Sequence, residues 1–97
     1  MNRVIGVTTA KNGKTREAVA ALKALVEYVN SKYDLKYELY IQLFGTAGTI
    51  YLIADYKDVA SIQAVQAKYM ADNKFWAIAQ KAAEVTDTPT ITLLQPV

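Results

Sequence analysis

The sequence predicts a single α+β domain over residues 1–97: a four-stranded antiparallel sheet in spatial order 4-1-3-2, with two helices on one face. Three observations carry this prediction. Hydrophobic periodicity changes along the chain in the order β-α-β-β-α-β. The two middle strand segments, "KYELYIQLF" and "TIYLIADY", alternate and are joined by "GTAG", a short hairpin loop. Right-handed crossovers then give this strand order and put both helices on the same side.

Residues 3–9, "RVIGVTT", are a short β-branched run ended by "AKNGK", whose Asn-Gly marks a turn. From Thr15 to about Tyr33, the residues Ala18, Leu22, Leu25, Val26 and Val29 recur at helical spacing. Thr15 can cap this helix, and Glu17 suits the positive end of its dipole. The hairpin strands span residues 36–44 and 49–56, with the loop at 45–48. Residues 57–85 are helical in pattern, with Asp58 as the first cap and a joint at "ADNKFW", where Asp72 caps the resumed helix. Its buried stripe is Phe75, Ile78, Ala79 and Ala82, with Trp76 at the edge. "TDTP" breaks the helix, and "TITLLQPV" (90–97) supplies the last strand. There is no repeat and no linker.

This order, with a hairpin in the middle, is the split βαβ or ferredoxin-like arrangement. Alternation turns Ile5, Val7, Leu39, Ile41, Leu43, Ile50, Leu52, Ala54, Ile91 and Leu93 toward the helices. The second face then carries Val4, Gly6, Thr8, Glu38, Tyr40, Gln42, Phe44, Thr49, Tyr51, Ile53, Thr92 and Leu94. That face is too apolar to sit in water and too polar to be an ordinary second core. A covering partner with a cavity left between fits both facts, and the expected partner is a second copy of the chain.

Composition narrows the chemistry. The chain has a formal net charge of +2, 53% hydrophobic residues, and neither Cys nor His. Thiol nucleophiles, Ser-His and Cys-His pairs, and the usual zinc, copper and haem ligands are thereby removed. Acid–base work would fall to Asp, Glu, Lys or Tyr. The 11 basic residues are scattered, so no nucleic-acid partner is expected. No apolar run approaches the ~20 residues of a membrane span, and the N-terminus lacks the pattern of a signal peptide. Absence of Cys fits a reducing, cytoplasmic compartment. No cofactor and no metal are expected.

The element order in under 100 residues resembles the dimeric α+β-barrel superfamily, which includes antibiotic-biosynthesis monooxygenases, haem-degrading enzymes and NIPSNAP-like proteins. So does "DYKDVASIQAVQAKYMADNKFWAIAQK", a third strand running into a helix that is interrupted at an Asp and resumed at an aromatic. The resemblance covers nearly the whole chain and implies a homodimer whose two sheets face each other, with ligand sites inside. Haem-degrading relatives carry a Trp about a turn before the Asp and an iron-binding His four residues past the Phe. Those places fall here near Lys68 and at Ala79, and Asn2 lies before the first strand, where that group has a catalytic Asn within it. Haem degradation by the route of those relatives is therefore not expected.

Tyr40, Gln42, Phe44 and Tyr51, on the second face, are the expected ligand contacts, with Trp76 added from the joint. Tyrosine offers a large apolar body with one hydrogen-bonding tip, which suits an apolar or aromatic ligand. Glu38 and Asp55 are weaker, catalytic candidates. If the hairpin is centred on Thr46-Ala47, they lie opposite each other, and such proximity raises one pKa; both at a wet sheet end, balanced by lysines, is the plainer alternative. "TAKNGKT" lacks the spacing of a phosphate loop. Three functions stay open: a small-molecule-binding homodimer, a cofactor-independent monooxygenase-like enzyme on an aromatic or polyketide-like substrate, and a structural or regulatory dimer with a filled barrel.

Overall fold

The computed structural model describes all 97 residues. In chain order they form β1 (Asn2–Thr9), α1 (Thr15–Tyr33), β2 (Glu38–Ile41), β3 (Thr49–Tyr56), α2 (Val59–Met70), α3 (Asn73–Ala83) and β4 (Thr90–Leu94). The strands make one antiparallel sheet in the order β2-β3-β1-β4, which is the predicted 4-1-3-2 read from its other edge. The expected second helix is delivered in two pieces. Asp58 opens α2 by accepting from the Ser61 backbone N–H at 2.8 Å. Asp72 opens α3 by accepting from the Lys74 N–H at 3.0 Å. At α1 the cap position belongs to Lys14, not Thr15, and no side chain caps it. Gly13, at φ 77°, turns the chain in just before it.

Two expectations about the sheet are corrected. The first concerns which face of β1 is inward. Val4, Gly6 and Thr8 point toward the helices, and Ile5 and Val7 point away. Residues directly opposite on neighbouring strands share a face, and β1 pairs Val4 with Ala54, Gly6 with Leu52 and Thr8 with Ile50. Since β3 turns Ile50, Leu52 and Ala54 inward, the smaller β1 residues must follow. Alternation failed here because β1 is apolar on both sides, as a central strand can be.

The second correction is the hairpin register. Glu38 pairs with Ile53, and Tyr40 with Tyr51, so Glu38 is not opposite Asp55. The cause is a longer loop. The last ladder bond runs from the Gln42 N–H to the Thr49 carbonyl at 2.9 Å, and Gly45 and Gly48 both take positive φ. Leu43 and Phe44 thus belong to the loop and not to a strand; they are 84% and 90% exposed. At the other end, Asn2 is the first residue of β1 rather than preceding it, buried opposite Tyr56.

The core is in two parts. One is built on Ala10, Ala18, Leu22, Ile50 and Ala82, with Leu25, Leu39 and Leu52 packed on it. The other is built on Val4, Ala54 and Tyr56, with Leu35, Tyr37, Ile62 and Val65 packed on it. α1 buries Ala18, Leu22, Val26 and Val29, as its periodicity requires, whereas α2 buries none of its residues. The sheet face away from the helices has no second layer within the chain. It presents Ile5, Val7, Tyr40, Tyr51, Ile53 and Leu94 around the ion pair of Arg3 with Asp55.

Candidate functional site

Between the two parts of the core, sheet and helices stand apart. They leave a partly open cavity of about 460 Å³, within the range of small-molecule sites. Its floor is β1, where Gly6 gives it depth. A Cβ there would lie 3.3 Å from Ile91 Cδ1 and 3.8 Å from Leu52 Cβ. The walls are Leu22 and Val26 of α1, Tyr69 of α2 and Phe75 of α3, and Ile91 and Leu93 of β4 bound the remaining side. Of the 22 lining residues 17 are hydrophobic, and none is Asp, Glu, Lys or Arg. Burying a charge there without a partner would be costly, so the cavity favours a neutral occupant.

Three tyrosines stand among the lining residues, with Thr8, Gln66 and Thr86 as the other polar side chains. Tyr37 precedes β2 and is held by Asn30 of α1. The Asn30 side-chain amide donates to the Tyr37 carbonyl at 3.0 Å and accepts from its N–H at 2.9 Å. Asn30 is placed for this because α1 ends at Asp34 in a left-handed turn, with the Leu35 N–H returning to the Asn30 carbonyl. Tyr56 donates to the Tyr37 hydroxyl at 3.2 Å, and the two rings meet edge to face at 6.4 Å. Tyr69 stacks on Phe75 with centroids 4.6 Å apart. Burial pushes all three phenols above the ordinary tyrosine range, with the Tyr56 hydroxyl adding to the effect at Tyr37. At neutral pH they are protonated hydrogen-bonding groups and not bases.

None of Tyr40, Gln42, Phe44, Tyr51 and Trp76 lines this cavity. The first, second and fourth are brought together elsewhere, on the uncovered sheet face or at its edge. The Tyr51 hydroxyl donates to Gln42 Oε1 at 2.7 Å across the hairpin, and the Tyr40 hydroxyl donates to Glu38 at 2.8 Å. Phe44 stands at the hairpin tip. Trp76 is half exposed, with its indole N–H donating to the Met70 carbonyl at 2.8 Å and its ring edge-on to Phe75. Asp55 is gripped by Arg3 through two bonds, at 2.8 and 3.0 Å. The Arg3 hydrogen bond holds its carboxyl below the usual carboxylate range. The expected carboxylate pair is thus replaced by an ion pair. Ala79 does reach the cavity, but with a methyl group.

The joint at Asp72 is more elaborate than a cap. Its Oδ2 accepts from the Tyr28 and Tyr33 hydroxyls and from Lys32 Nζ, all on α1, while Oδ1 holds the start of α3. The bonds from Tyr28 and then Tyr33 hold this carboxyl well below the usual range. Tyr33 in turn is pushed up to about 12, by burial first and then by its bond to Asp72. This cluster fixes the α2–α3 joint onto α1 and so sets where Tyr69 and Phe75 enter the cavity.

The three cavity tyrosines were missed at the sequence level, although two signals pointed to them. Ile62, Gln66 and Tyr69 recur at i, i+4 and i+7, which puts them on one face of α2. Tyr56 continues the inward alternation of Leu52 and Ala54. Tyr37 carried no such signal, because only the Asn30 clamp fixes its direction.

No family model matches the sequence, and no curated protein does. The fold does recur among solved structures. An uncharacterised NIPSNAP domain protein from Burkholderia xenovorans matches with a TM-score of 0.86 at 16% identity, over 100% of this chain and 95% of that one. An antibiotic biosynthesis monooxygenase matches at 0.75 and 19% identity, over 100% and 99%. A dimeric protein of unknown function and ferredoxin-like fold from Bacteroides fragilis matches at 0.73 and 13% identity, over 97% and 94%. The chain has the fold of these proteins, as the order of its elements foretold.

Proposed function

We propose that this chain, built on the fold of NIPSNAP and antibiotic biosynthesis monooxygenase structures, is a homodimer whose protomers each bind a small, uncharged, largely apolar molecule beneath the helices. The observation that carries the binding half is the lining of the cavity: 17 hydrophobic residues of 22, no charged side chain, and three tyrosines among them. A ligand with an apolar ring and one carbonyl or hydroxyl fits that chemistry. Tyrosines that keep their protons at neutral pH orient such a group without removing a proton from it. Binding therefore accords better with the lining than the oxygenase activity in the name of one similar structure.

The homodimer half is supported by area. The chain exposes 6633 Å², whereas a monomeric protein of 10.7 kDa exposes about 5,500 Å². The excess of roughly 1,100 Å² is comparable to the ~800 Å² that each partner contributes to a standard interface. Exposed apolar side chains are found on that uncovered face, at Tyr40 and Leu94, and at the hairpin tip and the β4 edge, at Leu43, Phe44, Ile91 and Leu93. The cysteine-free composition suits a reducing, cytoplasmic setting.

The test uses 1-naphthol, an apolar ring with one hydroxyl, and 1-naphthoate, its anionic counterpart, titrated calorimetrically at pH 7. Saturable naphthol binding, one molecule per protomer, with a negative heat-capacity change is expected, and naphthoate should bind at least tenfold more weakly. Equal binding of the two, or no saturable naphthol binding, would overturn the neutral-ligand assignment.

A further inference from the structure

We infer that the hairpin tip of each protomer, Leu43 and Phe44, closes the open side of the partner's cavity at β4, so that each site is complete only in the dimer. The inference rests on the homodimer proposed above. Its first ground is a matching pair of unmet surfaces. At one edge of the sheet, Leu43 and Phe44 are two large apolar side chains on a loop that touches little of its own chain. At the other edge, Ile91 and Leu93 line the cavity and yet stay 65% and 43% exposed, because β4 is an edge strand with no helix over it. The lining is therefore unfinished on the β4 side, and the chain carries an unused apolar tip.

Topology brings the two together. β2 and β4 are the opposite edges of the sheet. Stacking two copies through their uncovered faces requires a two-fold axis lying between the sheets. If that axis runs along the strands, each β2 edge is carried over the partner's β4 edge. The ends also match. The hairpin tip leaves the sheet where Thr9 pairs with Thr49, and β4 enters it close by, where Thr90 pairs with Val7. An axis along the strands preserves that end, so the tip arrives beside the start of β4, where Pro89 and Ile91 line the cavity. An axis across the strands would instead stack β2 on β2 and leave both cavities open. The long loop, with its two glycines at positive φ, gives the tip the reach to fold round the free edge of β4. Phe44 would then be a ligand wall, but of the partner's site.

The chain contains no cysteine, so an engineered pair gives a clean answer. Within one chain, positions 44 and 91 lie at opposite sheet edges, three strand spacings or about 14 Å apart. A disulfide needs Cα atoms roughly 4.4–6.8 Å apart, so any bridge in the double variant Phe44→Cys/Ile91→Cys joins two chains. The full-length double variant, oxidised with oxidised glutathione, should run as a covalent dimer on a non-reducing gel, and neither single variant should. A sedimentation run on the unmodified protein separates the two proposals. If it is a dimer while the double variant stays uncross-linked, or if Phe44→Cys alone cross-links, the tip is not at β4 and this inference is wrong. If it is a monomer, the dimer itself is wrong. As a second measurement, Phe44→Ala should leave the dimer intact and weaken 1-naphthol binding about threefold or more. Unchanged naphthol binding would show that the tip does not close the cavity.

Discussion

Replacing Gly6 with valine should stabilise the protein and empty its site in the same stroke. Gly6 forms the cavity floor, and a side chain there projects toward the cavity past one close neighbour, Ile91. Valine adds three carbons. At ~0.8 kcal/mol for each buried methylene-sized group, full burial would contribute about 2.4 kcal/mol, and a partly open cavity realises about half of that. Removing glycine from a strand interior adds ~0.5–1 kcal/mol. Against these stands one close approach, the new Cβ to Ile91 Cδ1 at 3.3 Å. Ile91 is an exposed edge residue, so it can yield, at a rotamer cost of ~0.5–1.5 kcal/mol. The balance is about 1 kcal/mol in favour of the variant, or a rise in Tm of ~4–8 °C for a domain of this size. Calorimetry at fixed protein concentration, needed because association shifts Tm, would read the change. Binding of 1-naphthol should fall at least tenfold in parallel. A Tm lowered by several degrees with naphthol binding intact would refute the placement of Gly6 over a usable cavity.

Other outcomes follow from the same geometry. Tyr37→Phe removes the acceptor of the Tyr56 hydroxyl and should cost ~0.5–1.5 kcal/mol in urea unfolding at unchanged m, with naphthol affinity reduced. Leu22→Ala, in the larger part of the core, should cost ~2–5 kcal/mol by the same measurement. Tyr51→Ala, on the uncovered sheet face, should raise the dimer dissociation constant in sedimentation while leaving the fold intact by circular dichroism. Asp72 has a folded-state pKa below the ~3.9 of an unfolded aspartate. Its contribution is therefore fully present above that value and is lost as pH falls through the folded pKa. Asp72→Asn should lower Tm at pH 7 and reduce the acid-induced fall in Tm below about pH 4. A residual slope from Asp55 and Asp58, which are held low as well, is expected. An unchanged acid profile would show that the cluster on Asp72 is not coupled to folding.

The architecture was legible in the sequence because each element signals through its own period. The seams of α1, the alternation of β3 and the joint at Asp72 are local patterns. The inward face of β1 was not legible, since Val4, Ile5 and Val7 are all apolar and only pairing to β3 decides between them. The register of the hairpin escaped for a related reason. "GTAG" marks where a turn occurs, but the loop extends back to Leu43 because Gly45 and Gly48 both take left-handed backbone. The cavity was the least legible feature. A cavity is a place where packing stops, and no period announces that. Gly6 is placed on the outer face by alternation, whereas its missing side chain is what gives the cavity its depth.

α2 buries none of its residues, yet it supplies Ile62, Gln66 and Tyr69 to the cavity wall. Its first turn is capped locally by Asp58, and the Asp72 cluster just beyond its last turn ties it to α1. A segment with so little buried surface opens at a lower free energy than the sheet beneath it. Amide hydrogen exchange should accordingly report a separate, faster-exchanging unit between Asp58 and Asp72, with β1 and β3 exchanging only on global unfolding. Such an excursion swings one wall outward without disturbing the floor. A guest held between sheet and helices would have this second way in and out, and its residence time would depend on the strength of the Asp72 tether as well as on its fit.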